Sequence, residues 1–291
     1  TLLRASTLSF PIVDTGQVDC YSNSDLIEPP RAGEAFYGQD AQYLDHEPNY
    51  VDNSDGTVTD LVTGLMWQQT PSEKMTFVEA LAGAETFGLA GYDDWRLPSI
   101  KELYSLILFS GIDPGLGATE AEVQPFIDTA YFDFAYGDTS TGERMIDAQY
   151  WSATEYVWTT MNDAPTAFGV NFADGRIKGY GREDPRGQQM QQFVRYVRGR
   201  IDYGINQFED NGNGTVTDLA TGLMWTQADS EIDLNWEEAL AYAEDLPCGG
   251  HDDWHLPDAK ELQSIVDYAR SPDTTDSAAI DPIFQVSTLF N

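Results

Sequence analysis

The residues of this sequence best equipped for chemistry are side-chain oxygens gathered around two glycines. Asp52, Asn53, Asp55 and Asp60 surround Gly56, and Asp210, Asn211, Asn213 and Asp218 surround Gly214 at the same spacing. A Ca²⁺ ion needs about six to eight oxygen ligands, and carboxylates and amides around a tight turn are one way to supply them. The spacing is not that of an EF-hand, because the glycine falls one place early and no Glu follows at the twelfth position. The same residues also cap tight turns with no metal, since Asp and Asn hydrogen-bond their own backbone. Both readings stay open: a Ca²⁺ site in each loop, or two Asx-shaped turns.

A second set has the chemistry of a binding surface. Trp151, Tyr156 and Trp158 offer ring faces on which a sugar stacks, and Arg176 and Lys178 add positive charge nearby in the chain. Against this stands core packing for the aromatics and pairing with carboxylates for the cations. Trp67, Trp95, Trp225 and Trp254 recur at fixed places, which points to packing. Asp93-Asp94 and Asp252-Asp253 bind an ion, pair with Arg96 or shape a loop. Asn213-Gly214-Thr215 matches a glycosylation sequon but lies inside the repeated turn, and turn chemistry accounts for it.

Catalysis finds little material. The histidines are His46, His251 and His255, with no HExxH spacing, and neither a GxSxG motif nor a P-loop occurs. The expectation is a protein that is not an enzyme. Two cysteines, Cys20 and Cys248, form no metal or redox motif. In an oxidising compartment they pair as a disulfide; otherwise they stay as free thiols.

The elements that position these residues follow from an internal repeat. The block from Asp52 to Trp67 returns from Asp210 to Trp225, and Asp93-Asp94-Trp95-Arg96-Leu97-Pro98 returns as Asp252-Asp253-Trp254-His255-Leu256-Pro257. A period this long means two copies of a domain rather than a solenoid unit. In each copy a β-branched Thr-Val-Thr strand leaves the glycine turn and a Leu-Met-Trp strand follows it. Two helices come next. Thr76…Glu79 and Ser99…Glu102 fit capping boxes, with Asn235…Glu238 and Asp258…Glu261 as counterparts. The inward stripes are Leu81, Ala84 and Phe87, then Leu103, Leu106 and Ile107; in the second copy they are Leu240, Ala243 and Leu246, then Leu262, Ile265 and Val266.

The first copy continues into strands at 150–154, 168–172, 176–180 and 192–197, with Ala173-Asp174-Gly175 as a hairpin turn. The second copy has no counterpart of these strands. The expected organisation is a leader over 1–49 packing on the first copy, a first domain over 50–200, and a second over 206–291 whose C-terminal sheet is incomplete. Truncation or strands donated by a neighbouring subunit account for the difference.

Charge is the outlier of the composition. There are 49 acidic and 15 basic residues, a net of −34. That field repels nucleic acid and anionic lipid, and suits divalent cations or solubility. Seven of the basic residues (Arg176, Lys178, Arg182, Arg186, Arg195, Arg198 and Arg200) fall within 176–200. They make a local cationic site or pair with the excess carboxylates. Apolar residues are 41% of the chain, enough for a core, and no apolar run reaches the length of a membrane span.

The blocks resemble the C-terminal domain of the Legionella collagen-like adhesin. The resemblance rests on Gly-Thr-Val-Thr-Asp, Thr-Gly-Leu-Met-Trp, Asp-Asp-Trp-Arg-Leu-Pro, Lys101-Glu102-Leu103, Tyr150-Trp151-Ser152 and Val194-Arg195-Tyr196-Val197-Arg198, in that order. It covers the first copy and the front half of the second. Arg96-Leu97-Pro98 and the terminal Val-Arg-x-Val-Arg strand also look like the C-type-lectin and formylglycine-generating-enzyme group. The resemblance implies an α+β, C-type-lectin-like fold, with two helices on a small twisted antiparallel sheet, present as a tandem repeat. It implies an extracellular or cell-surface protein serving adhesion, with a glycan or surface polymer as partner. The alternative is a self-associating structural subunit of a filament or sheath. Relatives often carry Cys where this chain has Tyr196, so a disulfide there is absent.

Overall fold

A computed structural model describes residues 8–115, 117–160, 163–184 and 186–287. In chain order the early strands are β1 (Cys20–Tyr21), β2 (Leu26–Ile27), β3 (Tyr50–Asp52), β4 (Thr57–Asp60), β5 (Leu65–Gln68) and β6 (Ser72–Thr76). Helices α1 (Phe77–Ala84) and α2 (Ile100–Tyr104) follow. Then come β7 (Gln149–Thr159), β8 (Pro165–Asn171), β9 (Arg176–Gly181), β10 (Gln191–Val194) and β11 (Val197–Gly199). The second copy contributes β12 (Phe208–Asp210), β13 (Thr215–Asp218), β14 (Met224–Thr226), α3 (Trp236–Glu244), α4 (Ala259–Ser264) and α5 (Pro272–Thr275). The class is α+β, with more strand than helix.

The chain divides into two compact bodies. One is Pro48–Ile201 with Tyr268–Ala279; the other joins the segment up to Glu47, Asp202–Asp267 and the stretch from Ile280.

In the first body, β3, β4 and β5 form the expected meander, and β11 adds to β5 to give the order β11-β5-β4-β3. Val58 pairs with Trp67, and both are fully buried. A second sheet has the order β6-β10-β7-β8-β9. The last strand expected over 192–197 is two strands: β10 lies on β6 and β7, β11 lies on β5, and the chain changes sheets at Arg195 and Tyr196. Both side chains at this crossing are buried. Strand β6 carries no clear alternation and was not expected.

Both capping boxes form. Thr76 accepts from the amide of Glu79 and Ser99 from that of Glu102, each worth about 1 kcal/mol to its helix. The buried stripe of α1 is Phe77, Ala80 and Ala84, whereas Leu81 is exposed, a correction to the expected stripe. Gly83 has a steric reason to be glycine: a Cβ there would lie 2.5 Å from the Tyr196 hydroxyl. That hydroxyl donates to the carbonyl of Ala80 at 3.0 Å, so Tyr196 joins helix to sheet by a hydrogen bond. Around it pack Phe77, Trp95, Leu97, Trp151 and Val194.

In the second body the repeated hairpin is a three-stranded sheet of order β12-β13-β14. Asn235 and Asp258 cap α3 and α4 as expected. The segment before Glu47 belongs here, which corrects its expected place on the first copy. Phe10 donates its amide to Ala220 at 2.9 Å and sets its ring 4.7 Å from Tyr203. Tyr43 stacks on His255 at 4.7 Å, and Lys260 donates to the carbonyl of Asp14 at 2.9 Å. The physical reason is apolar area that needs cover: among the described residues the second copy has no strands like β7–β11, and its helices bury their faces against the leader. Tyr268–Ala279 groups with the first body, where the ring of Tyr268 lies 4.8 Å from Phe168. The cover of the second copy is partial. Leu262 is 49% exposed where its counterpart Leu103 is fully buried, a second correction to the expected stripes.

Candidate ligand-binding site

The glycine turns are built the same way in both copies. Asp52 Oδ1 accepts from the amide of Ser54 at 2.7 Å, and Asp55 Oδ1 accepts from the amide and hydroxyl of Thr57 at 3.1 and 2.6 Å. Asn53 Nδ2 donates to Thr57 Oγ1 and Thr59 Oγ1, both at 2.9 Å. In the second copy Asp210 accepts from Gly212, Asn213 from Thr215, and Asn211 donates to Thr215 and Thr217. Asn213 Nδ2 also donates to the carbonyl of Gly249, so the sequon asparagine serves the turn.

The eight oxygen-bearing residues do not make two ligand shells. Asp60 pairs with Tyr50 while Asp52 pairs with Val58, which places Asp60 at the far end of the hairpin from the turn. Two residues of strand separate their levels, about 7 Å. Asp60 is buried and accepts from the amides of Val62 and Thr63; Asp218 is buried and accepts from those of Gln207 and Ala220. Among the described residues no group of three or more His, Cys, Asp or Glu converges as metal ligands.

Cys20 and Cys248 are free thiols, so the disulfide is not formed. Cys20 is buried in β1, while Cys248 directs its sulfur at the carbonyl of Gly214, 3.7 Å away.

The expected binding set separates. Trp151 is fully buried, packs edge-on against Phe77 at 5.5 Å and donates Nε1 to the Met75 carbonyl at 3.0 Å. That is core packing: an indole sealed between strand and helix meets no ligand. Tyr156 packs edge-on against Phe168. Trp158 is exposed on the outer end of β7. Arg176 pairs with Asp113 at 2.6 Å and with Asp174 at 3.2 Å, and Lys178 also pairs with Asp174. Arg182 pairs with Glu155 and Arg198 with Asp94, each at 2.6 Å. Arg176, Lys178, Arg182 and Arg198 therefore serve ion pairs within the body, and Arg176 and Lys178 share Asp174 rather than a ligand.

Arg96 holds Glu102 through two bonds of 2.6 and 2.5 Å, and Glu102 also closes the capping box of α2. The second copy keeps the carboxylate and replaces the cation. His255 Nε2 lies 3.3 and 3.2 Å from the two oxygens of Glu261. That hydrogen bond raises the imidazole pKa above its ordinary value, against the opposing effect of burial.

A cavity of about 260 Å³ opens in the second body, lined among others by Tyr21, Gln39, Asp40, Trp236, Leu240 and Asp258. Gln39 fixes its wall: Oε1 accepts from the Tyr21 amide at 2.8 Å, and Nε2 donates to the carbonyls of Tyr21 and Phe36 at 2.9 and 2.8 Å. Trp236 is 38% exposed, whereas its counterpart Phe77 is 2% exposed. Two carboxyls face the same space. Asp40 accepts from Thr15 Oγ1 at 2.7 Å, and burial raises its pKa. Burial, reinforced by the charge of Glu261, pushes Asp258 up to about 7. An indole face with carboxyl groups beside it suits polyhydroxylated ligands, which need a flat apolar contact and hydrogen-bond acceptors together.

None of the cavity residues read as a binding residue in the sequence, where Leu240 belonged to a helix stripe and Asp258 to a capping box. The available signal was the substitution between copies: Phe77 becomes Trp236 and Ser99 becomes Asp258.

Two capped helices packed with a four-stranded sheet and a further mixed sheet, with the hairpin and helices then repeated, describe an α+β domain. The chain belongs to the Lcl C-terminal domain family, which it matches over residues 56–198 and 214–288. No curated protein and no solved structure matches it. Among the described residues no helix is long and apolar enough to cross a membrane.

Proposed function

We propose that this protein is a non-catalytic, extracellular or cell-surface adhesin that binds glycans at the second-body cavity, on a C-type-lectin-like scaffold. Family membership supports the adhesive role. The observation that carries the site is the half-exposed Trp236 beside Asp40 and Asp258 in a cavity of about 260 Å³. Exposed Trp158 on β7 is a second place where a sugar ring finds an indole. A calcium role narrows to the turn tips, Asp52, Asn53 and Asp55 with Asp210, Asn211 and Asn213, since Asp60 and Asp218 stand elsewhere in the hairpins.

A glycan array run on the full chain, with Ca²⁺ and with EDTA, tests the reading. Binding that is lost in Trp236→Ala and kept in Trp158→Ala supports the cavity. No binding in either condition overturns the glycan proposal. Binding and melting temperature unchanged by EDTA overturn the calcium role.

The second reading, a structural subunit of a filament or sheath, rests on β14 standing, among the described residues, at the edge of its sheet where its counterpart β5 is internal. Polymers seen by negative-stain microscopy would favour it; monomers would remove it.

A further inference from the structure

The cavity faced by Trp236 carries charge that ring stacking alone leaves unanswered. Asp19, Asp40 and Asp258 line it, and among the described residues of its wall there is no Lys, Arg or His. The basic groups close by in the chain are engaged elsewhere. Lys260 is buried and donates its amine to the carbonyl of Asp14 at 2.9 Å, and His255 faces Glu261. The net charge of −34 offers no compensating background.

The fold does not occupy the inner carboxyls fully. Asp258 caps α4 through Oδ1, which accepts from the amides of Lys260 and Glu261 at 2.6 and 2.8 Å. Asp40 accepts from Thr15 through Oδ2. Each keeps a second oxygen outside these bonds. Burial raises the pKa of both groups, and for Asp258 the charges of Glu261 and Asp40 add to the rise. A cation entering beside such carboxyls stabilises them, because an opposite charge within about 4–6 Å favours the ionised form.

The aromatic wall suits the same guest. Trp236 is exposed, and the ring of Phe36 lies 5.6 Å from it at a tilt of 47°. An indole face attracts cations through its quadrupole and also takes the apolar face of a sugar. At about 260 Å³ the space is smaller than the range of about 300–1,000 Å³ usual for drug-sized ligands, so it suits one sugar ring at a time.

We propose that the cavity selects amino sugars: a ring stacked on Trp236 whose free, protonated amine donates to Asp40 and Asp258. Charge-assisted bonds of this kind are about twice as strong as neutral ones, so the amine decides the class of sugar. Sulfated and uronic-acid sugars are repelled by the same carboxylates, and N-acetylated sugars bring no charge to answer them. This inference rests on the glycan reading of the cavity and narrows it.

The test is isothermal titration calorimetry of the full chain, near neutral pH, with β-1,4-linked tetramers of glucosamine, N-acetylglucosamine and glucose, which differ only at C2. The glucosamine tetramer should saturate and bind about tenfold or more tightly than the other two, with an affinity that falls as salt is raised. Asp258→Asn keeps a good helix cap, and Asp40→Asn keeps an acceptor for Thr15, so both variants should fold. Each should weaken the glucosamine tetramer about tenfold, and Trp236→Leu should abolish its binding. Equal affinity for all three tetramers overturns the inference and leaves the glycan reading standing. So does a glucosamine tetramer that fails to bind while other glycans bind in a Trp236-dependent way. A blank glycan array together with no tetramer binding removes both. A linear polyamine that binds as tightly as the glucosamine tetramer, or binding indifferent to all three substitutions, also overturns the inference.

Discussion

Arg195 donates through Nη1 to the carbonyl oxygen of Gln68 at 2.6 Å, across 127 residues of chain and with both side chains buried. The same guanidinium donates to the carbonyls of Gln69 and Asp133, and lies 5.0 Å from the ring centroid of Phe132. It sits where the chain leaves β10 for β11, so one side chain holds the crossing between two sheets. Burial depresses its pKa, yet a guanidinium stays protonated at any ordinary pH. Arg195→Ala would leave three carbonyls without this donor, at a cost of about 1 kcal/mol or more each. Urea unfolding should show a loss of about 3 kcal/mol or more, only partly recovered by Lys. A loss below about 1 kcal/mol would mean the carbonyls find other partners.

The second body should lose stability as pH rises. His255 has a raised pKa through its bond to Glu261, with Asp258 and Asp45 also near it. Its contribution is complete below about pH 6.5, the unfolded value, and fades as pH climbs through the raised one. Asp258, at about 7 beside Glu261 and Asp40, has the same sign: its contribution is complete below about pH 4 and lost as pH passes 7. Melting temperature measured from pH 4 to 8 should therefore fall, and His255→Arg with Asp258→Asn should flatten the profile. An unchanged slope in the double variant would show that other groups set it.

Equivalent aromatics in the two copies should respond differently to truncation. Phe77 is sealed against Trp151, and Phe77→Ala should cost about 3–5 kcal/mol. Trp236 faces the cavity, so Trp236→Ala should cost less than half of that while removing glycan binding. Denaturation curves of the two variants decide it; equal losses would mean that Trp236 is core.

The glycine turns should be stabilised by their own hydrogen bonds. Asn53→Ala removes two bonds to threonine hydroxyls and should cost about 1 kcal/mol, with the same loss in Ca²⁺ and in EDTA. A penalty that vanishes in EDTA would instead assign the asparagine to a metal.

What could be read from the sequence was what local spacing encodes. The four capping boxes, the Thr-Val-Thr hairpins and the Ala173-Asp174-Gly175 turn all appear, because each depends on residues within a few positions of one another. What escaped depends on distant partners. Trp151 looked like a platform for a sugar, but its neighbour Phe77 lies 74 residues away in the chain and seals it. The division at Arg195 and Tyr196 was hidden because Phe193-Val194 and Val197 read as one apolar run. The placement of the leader turned on Phe10 meeting Tyr203 and Tyr43 meeting His255, contacts that no periodicity announces. The cavity followed from that placement and was unreadable for the same reason.

The allocation of segments has a mechanical consequence. Leu8 and Ser287 belong to the same body, and Pro48–Ile201 leaves and re-enters it. Tension applied to the chain at those two residues enters and exits through the second copy, with the first copy outside the direct line of load. For a surface attachment protein, the body bearing the cavity would then be the one that feels the pull.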